Sequence, residues 1–417
     1  MNFQLSSKLG VLYNRLLVFF DFCYFCISAP CLILTKFYLP LVISTRSLLQ
    51  ELAKRRWNVK TFCGFQQDYI RPTTIETELA KHELQLQRTW GNNEGRLVSF
   101  KDYGISSLAF ITPSDSLEAN APSGSCYLQM FKCVCEQFRP DVLVTYGGTS
   151  IGYELLRIAQ AFDIKTVVTL HNLAYWDPVY FQYANLVLVP SLYAQDVYKK
   201  RLGIDSVAIP PLIARKKISC DTLDFPHRNY VLFVNSSIGK GLGVFARVVK
   251  EIWRIRPEIK FLVMEGSCDA KYCASMVGDF LKDVDNVEFI RNTPFPELWF
   301  QFARLTIYPS LYPETYGRAV AESMMAGTPV VASTRGALPE VVQDAGSLLP
   351  ICERLTPDKF IIPDKDEVWP WIETILRIFD DQEYYLELRH RGLLRASEWN
   401  IEDIVDKYEE RLKSLLK

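Results

Sequence analysis

Residues 305–339 read LTIYPSLYPETYGRAVAESMMAGTPVVASTRGALP. The run Leu305–Ser310 is short, apolar and rich in strand formers, and Pro309-Ser310 closes it. An acidic loop with Glu314 follows, then Gly317, then the helical stretch Arg318–Ala326 carrying Glu322. Gly327-Thr328-Pro329 stops that helix and launches a second strand, PVVAS (329–333). Both strand runs are continuously apolar rather than alternating. Such strands are buried on both faces, as in a parallel sheet covered by helices.

The same rhythm extends outward. Upstream lie strand YVLFVN (230–235), helix Leu242–Arg256, strand IKFLVMEG (259–266), helix Ala270–Lys282, strand VEFI (287–290) and helix Pro296–Arg304. The segment Pro210–Arg228, with Pro210, Pro211, Arg215-Lys216-Lys217 and Pro226, breaks the pattern and reads as a linker. Before it, CLILT (31–35), VKTFC (59–63), LVSF, LAFI, DVLVTY (141–146), KTVVTL (165–170), ANLVLVPS (184–191) and DSVAIPP (205–211) read as strands. Thr45–Lys54, Ser125–Gln137 and Ser150–Ala161 read as helices, and the stretch near 66–96 as polar and irregular. From about Asp366 the chain is helical, and Ile401–Leu416 carries one apolar stripe. The expectation is two doubly wound α/β domains with a cleft between them. The expected bounds are an apolar extension over 1–28, a first domain over 29–215, a linker over 216–228, a second domain over 229–395, and a terminal helix over 396–417 that packs back toward the first domain. Ligands in such folds bind beyond the carboxyl ends of the strands.

Composition narrows the function classes. The 417 residues are 49% hydrophobic and 23% charged, the balance of a globular protein. Lys+Arg total 47 against 48 Asp+Glu, so the basic surplus of a general nucleic-acid binder is missing. Eleven scattered cysteines form no disulfide framework and fit a reducing cytoplasm. Cys23-x-x-Cys26 has no second pair to complete a zinc site, and it reads, like Cys133 and Cys135, as structural thiols. The run LLVFFDFCYFCISAPCLILT (16–35) contains Asp21 and Pro30. Its uncharged part is short for a spanning helix, which needs about 20 apolar residues. A peripheral membrane anchor and a plain extension are equal readings of it, and a spanning helix is a lesser third.

Glu314 lies in the loop before the helix and Glu322 eight residues later in its early turns, so both can face one cavity at the helix N-terminus. That end offers backbone N–H groups and a positive dipole to a diphosphate. Gly317 allows close backbone approach, and carboxylates accept hydrogen bonds from the vicinal hydroxyls of a sugar or ribose. On spacing alone, a capped helix with two surface acids explains the pair equally well.

The stretch PSLYPETYGRAVAESMMAGTPVVAS, followed by GALPEVV, resembles the E-x7-E signature of the retaining glycosyltransferases of family four, which have the GT-B fold. RPDVLVTYGG, TVVTLHN, ANLVLVPS, the turn at Lys240-Gly241 and the helices after Ser397-Glu398-Trp399 fall in that family's order. The resemblance implies a fold of two Rossmann-like domains facing a central cleft, with C-terminal helices. It implies transfer of a sugar from a nucleotide-diphosphate sugar to a glycan or lipid-linked acceptor, with retention and without a metal, in polysaccharide, lipopolysaccharide or glycolipid biosynthesis. Glu314 would hold donor-sugar hydroxyls and Glu322 the ribose hydroxyls. Tyr316, Gly317 and Arg318 would frame the sugar, with backbone amides as far as Val320 on the phosphates. Lys240 would neutralise the diphosphate, and His171 would contact the donor sugar from the first domain. Glu265, Gly266 and the Phe289–Arg291 stretch around Ile290 would line the base pocket, largely through backbone. Tyr146, Gly147 and Gly148 would lie on the acceptor side.

Two positions depart from the family pattern. An arginine is common five residues before the KG lysine, where this chain has Asn235, and Arg318 is a candidate replacement. The loop after the first strand usually has paired glycines, where Lys36–Arg46 has none. These departures keep alive a non-catalytic nucleotide-sugar-binding partner, beside a nucleotide-sugar epimerase on the same fold. Asp283-x-Asp285 and Asp364-x-Asp366 match a metal-binding DxD pattern but read as solvated charge.

Overall fold

A computed structural model describes residues 15–20, 40–66, 76, 79–80, 85–92, 95–102, 104–112, 122–146, 149–213, 228–266, 268–291, 293 and 296–417. The first half runs β1 (Arg15–Phe20), α1 (Pro40–Lys54), β2 (Asn58–Gln66), β3 (Leu86–Asn92), β4 (Gly95–Asp102), β5 (Ile105–Thr112), α2 (Pro122–Phe138), β6 (Val142–Tyr146), α3 (Ser150–Ala161), β7 (Lys165–Thr169), β8 (Leu186–Val189), α4 (Leu192–Leu202) and β9 (Val207–Ala208). These strands make one nine-stranded sheet in the order β3-β4-β5-β2-β1-β6-β7-β8-β9. Only the β3-β4 and β4-β5 pairs are antiparallel.

Two expectations are corrected here. Arg15–Phe20 does not belong to an N-terminal extension. It is an interior strand, parallel to β2 on one side and β6 on the other, with Leu16 and Leu17 fully buried. An apolar run that pairs on both edges and is covered on both faces has the composition of an interfacial segment, so sequence alone could not separate the two. Second, part of the stretch taken as irregular forms β3, an edge strand whose polar residues meet β4. The proposed strand 31–35, Cys23, Cys26 and most of the linker lie outside the described residues.

The second half runs β10 (Tyr230–Val234), α5 (Leu242–Ile255), β11 (Lys260–Met264), α6 (Ala270–Val277), β12 (Val287–Ile290), α7 (Pro296–Phe302), β13 (Ala303–Tyr308), α8 (Arg318–Met325), β14 (Val330–Ser333), α9 (Leu338–Val342), β15 (Ser347–Leu349), α10 (Lys365–Asp380), α11 (Gln382–Ser397) and α12 (Ile401–Ser414). Its six strands pair in the order β12-β11-β10-β13-β14-β15, all parallel. Helix α6 stops at Val277, short of the expected Lys282. Arg228 locks the start of this half onto the end of α8, donating to the carbonyls of Ala326 and Gly327 and to Thr328 Oγ1.

The strand order reverses at β1 in the first sheet and at β10 in the second. Crevices open at such switch points, beyond the strands' carboxyl ends. The two halves share one apolar cluster, with Leu16, Leu49 and Val142 from the first and Val320, Met324 and Tyr408 from the second. Helix α12 returns to the first half. Arg55 pairs with Asp406 and Glu409, and Trp57 Nε1 donates to Glu409 Oε1 at 2.9 Å. No helix among the described residues is long and apolar enough to cross a membrane.

Candidate active site

After β10 the chain turns sharply. Asn235 adopts φ 60°, a conformation that asparagine tolerates better than most side chains. A short helical turn, Ile238–Lys240, leads to Gly241 at φ 90°. A Cβ at Gly241 would lie 2.0 Å from the Pro309 carbonyl oxygen, so only glycine lets this turn settle on the end of β13. The settling brings Lys240 to Glu314. Lys240 Nζ lies 2.5 Å from Glu314 Oε1 and 3.1 Å from the Tyr308 hydroxyl, while Ser310 Oγ donates to Glu314 Oε1 at 2.6 Å. Burial alone would lower the lysine's pKa. The charge of Glu314 and the Tyr308 hydroxyl override it and hold Lys240 above the ordinary lysine range. Burial pushes the Tyr308 hydroxyl above its own ordinary range.

The Glu314 backbone is clamped from the far side by the loop before α9. Ala337 N donates to the Glu314 carbonyl at 2.7 Å. Gly336, at φ 67°, sits so close that a Cβ would fall 2.3 Å from both Glu314 N and O. The GALPEVV motif thus carries a positioning task that its sequence did not announce.

Helix α8 begins at Gly317 (φ 87°), and no side chain caps it. Its N-cap glycine lies three residues after Glu314, so Lys240 and the start of the helix flank the same loop. Arg318 folds back on Glu322, with Nη2 2.7 Å from Oε1, and its other amino nitrogen donates to Ser44 Oγ on α1. Ser44 Oγ in turn donates to the Leu212 carbonyl at 2.8 Å. Arg318 is therefore a bridge between the two halves, beside Glu322. Two expected contacts need correction. Tyr316 is buried in the shared apolar cluster, so its side chain packs the core rather than the open crevice. Val320 is fully buried and its N–H is bonded to the Gly317 carbonyl at 3.0 Å, so that amide is already used within the helix.

From the first half, His171 follows β7 at the cleft rim. Thr315 Oγ1 donates to its carbonyl across the cleft at 2.6 Å, and its ring lies 5.4 Å from that of Tyr146. Burial, reinforced by the Arg318 charge, lowers its pKa to about 3, so the imidazole is neutral under physiological conditions. Tyr146 ends β6 with its hydroxyl bonded to Thr45 Oγ1, and burial raises its pKa above the usual range. Gly147 and Gly148 lie outside the described residues. A cavity of about 30 Å³ behind Tyr146 and His171, bounded by Leu49 and Tyr408, has room for a water molecule or two rather than a sugar ring.

Asn235, Glu265, Gly266 and Ile290 come together at the ends of β10, β11 and β12. Glu265 N donates to the Ile290 carbonyl at 2.9 Å, and Glu265 Oε1 accepts from Ala270 N at the start of α6. A Cβ on Gly266 would meet Asn235 Cγ at 2.8 Å, so the Asn235 amide lies over this strip. The DxD pairs have structural partners. Asp285 accepts from Trp253 Nε1, Asp283 faces Lys250, and Asp364 forms a capping box with Glu367 at the start of α10. Cys135 is buried, and its thiol is pushed up to about 12 by burial.

Four solved structures or family matches frame this geometry. The structure of sucrose-phosphate synthase from Thermosynechococcus elongatus superposes with a TM-score of 0.67 at 17% identity, covering 97% of this chain and 99% of that one. A glycosyltransferase from Rickettsia africae gives 0.68 at 13% identity, with 97% and 99% covered. HepE of Anabaena, solved with UDP-glucose, gives 0.64 at 14% identity, with 96% and 99% covered. The fold is GT-B. Within it, residues 228–381 match the family model described as Glycosyl transferases group 1. This stretch holds Lys240, Glu314, Glu322 and the Gly336 clamp. No curated protein matches the chain.

Of the residues singled out in the sequence, Lys240 meets Glu314, Arg318 meets Glu322, and Thr315 next to Glu314 meets the His171 carbonyl. Sequence reasoning missed Tyr308 and Ser310, whose strand-end position beside Pro309 was the available signal. It also missed Thr315, Ser44 and Thr45, which matter only because two distant segments face each other.

Proposed function

We propose that this chain transfers a glycosyl group from a nucleoside-diphosphate sugar to an acceptor hydroxyl, with retention at the anomeric carbon and without a metal. The observation that carries the reading is the Lys240–Glu314 contact, set beside the uncapped start of α8 at the strand-order switch point. The group 1 glycosyl transferase match over 228–381 supports it. In this reading the diphosphate lies against the first N–H groups of α8 with Lys240 Nζ beside it. As the bond from the anomeric carbon to the phosphate oxygen breaks, these groups stabilise the charge that gathers on the leaving diphosphate. Glu314 holds hydroxyls of the donor sugar and Glu322 those of the ribose. Neutral His171 hydrogen-bonds the sugar from the opposite wall. The acceptor oxygen bonds to the anomeric carbon on the face the phosphate leaves, and its proton passes to the departing phosphate oxygen.

In this reading the acceptor is a glycan or lipid-linked molecule, and the enzyme serves polysaccharide, lipopolysaccharide or glycolipid synthesis in the cytoplasm. The test is a thermal-shift and hydrolysis screen of the full-length protein against UDP-, GDP-, ADP- and dTDP-sugars, with and without EDTA. Stabilisation by one donor, with EDTA-insensitive nucleotide release, is expected. A well-folded protein that no donor stabilises would refute the reading, and stabilisation by a donor with no nucleotide release would favour the non-catalytic nucleotide-sugar-binding partner.

A further inference from the structure

Beyond the crevice, the two halves meet at a contact that no substrate role explains. Glu340, on α9, reaches the first turn of α4 in the other half. Its Oε1 accepts from Leu192 N at 2.9 Å and its Oε2 from Tyr193 N at 3.0 Å. Ser191, the N-cap of α4, accepts from Ala194 N at 3.0 Å. The first three N–H groups of α4 are thus satisfied, two of them by a carboxylate from the other half. A carboxylate at a helix N-terminus gains both hydrogen bonds and dipole attraction. Arg395 of α11 steadies the base of this arm, donating to the carbonyls of Glu340 and Val341 at 3.0 Å each.

The arm connects to the crevice. Three residues before Glu340, Ala337 N holds the Glu314 carbonyl, and Gly336 is wedged against the Glu314 backbone. On the opposite wall, Thr315 holds the His171 carbonyl. One short segment therefore grips both the first half and the backbone of Glu314. We infer that Glu340 is a positioning residue: its clasp on α4 holds the cleft closed and sets Glu314 opposite His171. This rests on the proposed glycosyl transfer for its catalytic consequence, but not for its structural one. Closure excludes water, so the clasp governs how much donor is transferred and how much is hydrolysed.

The clasp can be cut from either side. Glu340→Ala removes the acceptor. Leu192→Pro removes one donor N–H, and proline suits the first helical position, with Ser191 before it already extended (φ −156°, ψ 161°). The Leu192 side chain is 62% exposed, so little packing is lost. Small-angle scattering should show a larger radius of gyration for each full-length variant than for wild type. The hydrolysis-to-transfer ratio should rise about tenfold in Glu340→Ala and less in Leu192→Pro. The double variant should be no worse than Glu340→Ala alone, since both cut one contact. Wild-type dimensions and ratio in both variants would overturn the clasp, as would additive effects in the double variant. If wild type binds no nucleotide sugar, the functional reading fails while scattering still decides the clasp.

Discussion

Lys240 and Glu314, 74 residues apart in the chain, meet with Nζ 2.5 Å from Oε1. They meet because β10 and β13 are neighbours in the sheet and both end at the same crevice. The lysine's charge is thereby held against the Glu314 carboxylate, three residues before the N-cap of α8. Lys240→Ala should lower kcat about 100-fold or more, the loss seen when one donor to a developing oxyanion is removed. Single-turnover kinetics with saturating donor would check this; turnover within a few-fold of wild type would remove Lys240 from the mechanism.

The same substitution should cost stability. The two side chains are 20% and 12% exposed, and cutting the pair leaves a poorly solvated carboxylate that keeps only the Ser310 and Tyr308 hydroxyls, for a loss of about 1–3 kcal/mol. The lysine's folded pKa is raised, so its contribution is fully present below the unfolded value of about 10.4 and lost only as pH climbs past the folded one. The gap between wild type and Lys240→Ala in urea denaturation should therefore be flat from about pH 6 to pH 9.

His171 has the opposite sign. Its folded pKa, about 3, lies below the ordinary value of 6.5, so between these two the unfolded chain binds the proton and the folded chain does not. Stability contributed by this residue therefore falls as pH drops from 6.5 toward 3. Replacing it with a neutral hydrogen-bonding side chain, His171→Gln, should lessen the acid sensitivity measured by urea denaturation at pH 7 and pH 4.5. In the same variant the pH profile of kcat above pH 5 should keep its shape, because no imidazolium is present to lose. An ascending limb near pH 6.5 that vanishes in His171→Gln would contradict a neutral role.

Much of this site was readable because the second half is locally consistent. Continuous apolar strands, glycine turns and Glu314 and Glu322 all point to one fold, and β10–β14 fall where the pattern puts them. The first half was harder for physical reasons. RLLVFF has the composition of a membrane-facing run, and only pairing on both edges reveals it as β1. Ser44 in the expected loop and Thr45 at the expected helix start gave no signal of their own, and only the fold places them against Arg318 and Tyr146. Tyr316 failed differently: its neighbours line the crevice, but its own ring points into the core, a choice set by tertiary packing rather than by the motif.

Gly336 offers a sharp test of the Glu314 clamp. Its φ of 67° disfavours any L side chain, and an added Cβ would strike backbone atoms of Glu314 that cannot swing aside. Gly336→Ala should lower stability by about 1–3 kcal/mol. It should reduce kcat more than it weakens nucleotide binding, since Glu322 and the base strip lie elsewhere. Calorimetric binding of the nucleotide together with kcat would separate the two. A loss confined to nucleotide affinity would mean that the loop serves the nucleotide and not Glu314.

The last test concerns the return of α12 to the first half. Glu409 is 14% exposed and accepts from Trp57, Arg55 and Lys413. Burial works against its charge, but these three donors hold its carboxyl below the usual range. A depressed carboxylate contributes stability above its unfolded pKa of about 4.3 and loses that contribution as pH falls through the folded value. Glu409→Gln should therefore cost about 1–3 kcal/mol at pH 7, and the gap to wild type should narrow as pH drops below about 4. Urea titrations of both proteins at pH 7 and pH 3.5 measure it. A gap that stays constant across that range would show that the contact is held by packing of Trp57 against α12, with the charge of Glu409 contributing nothing.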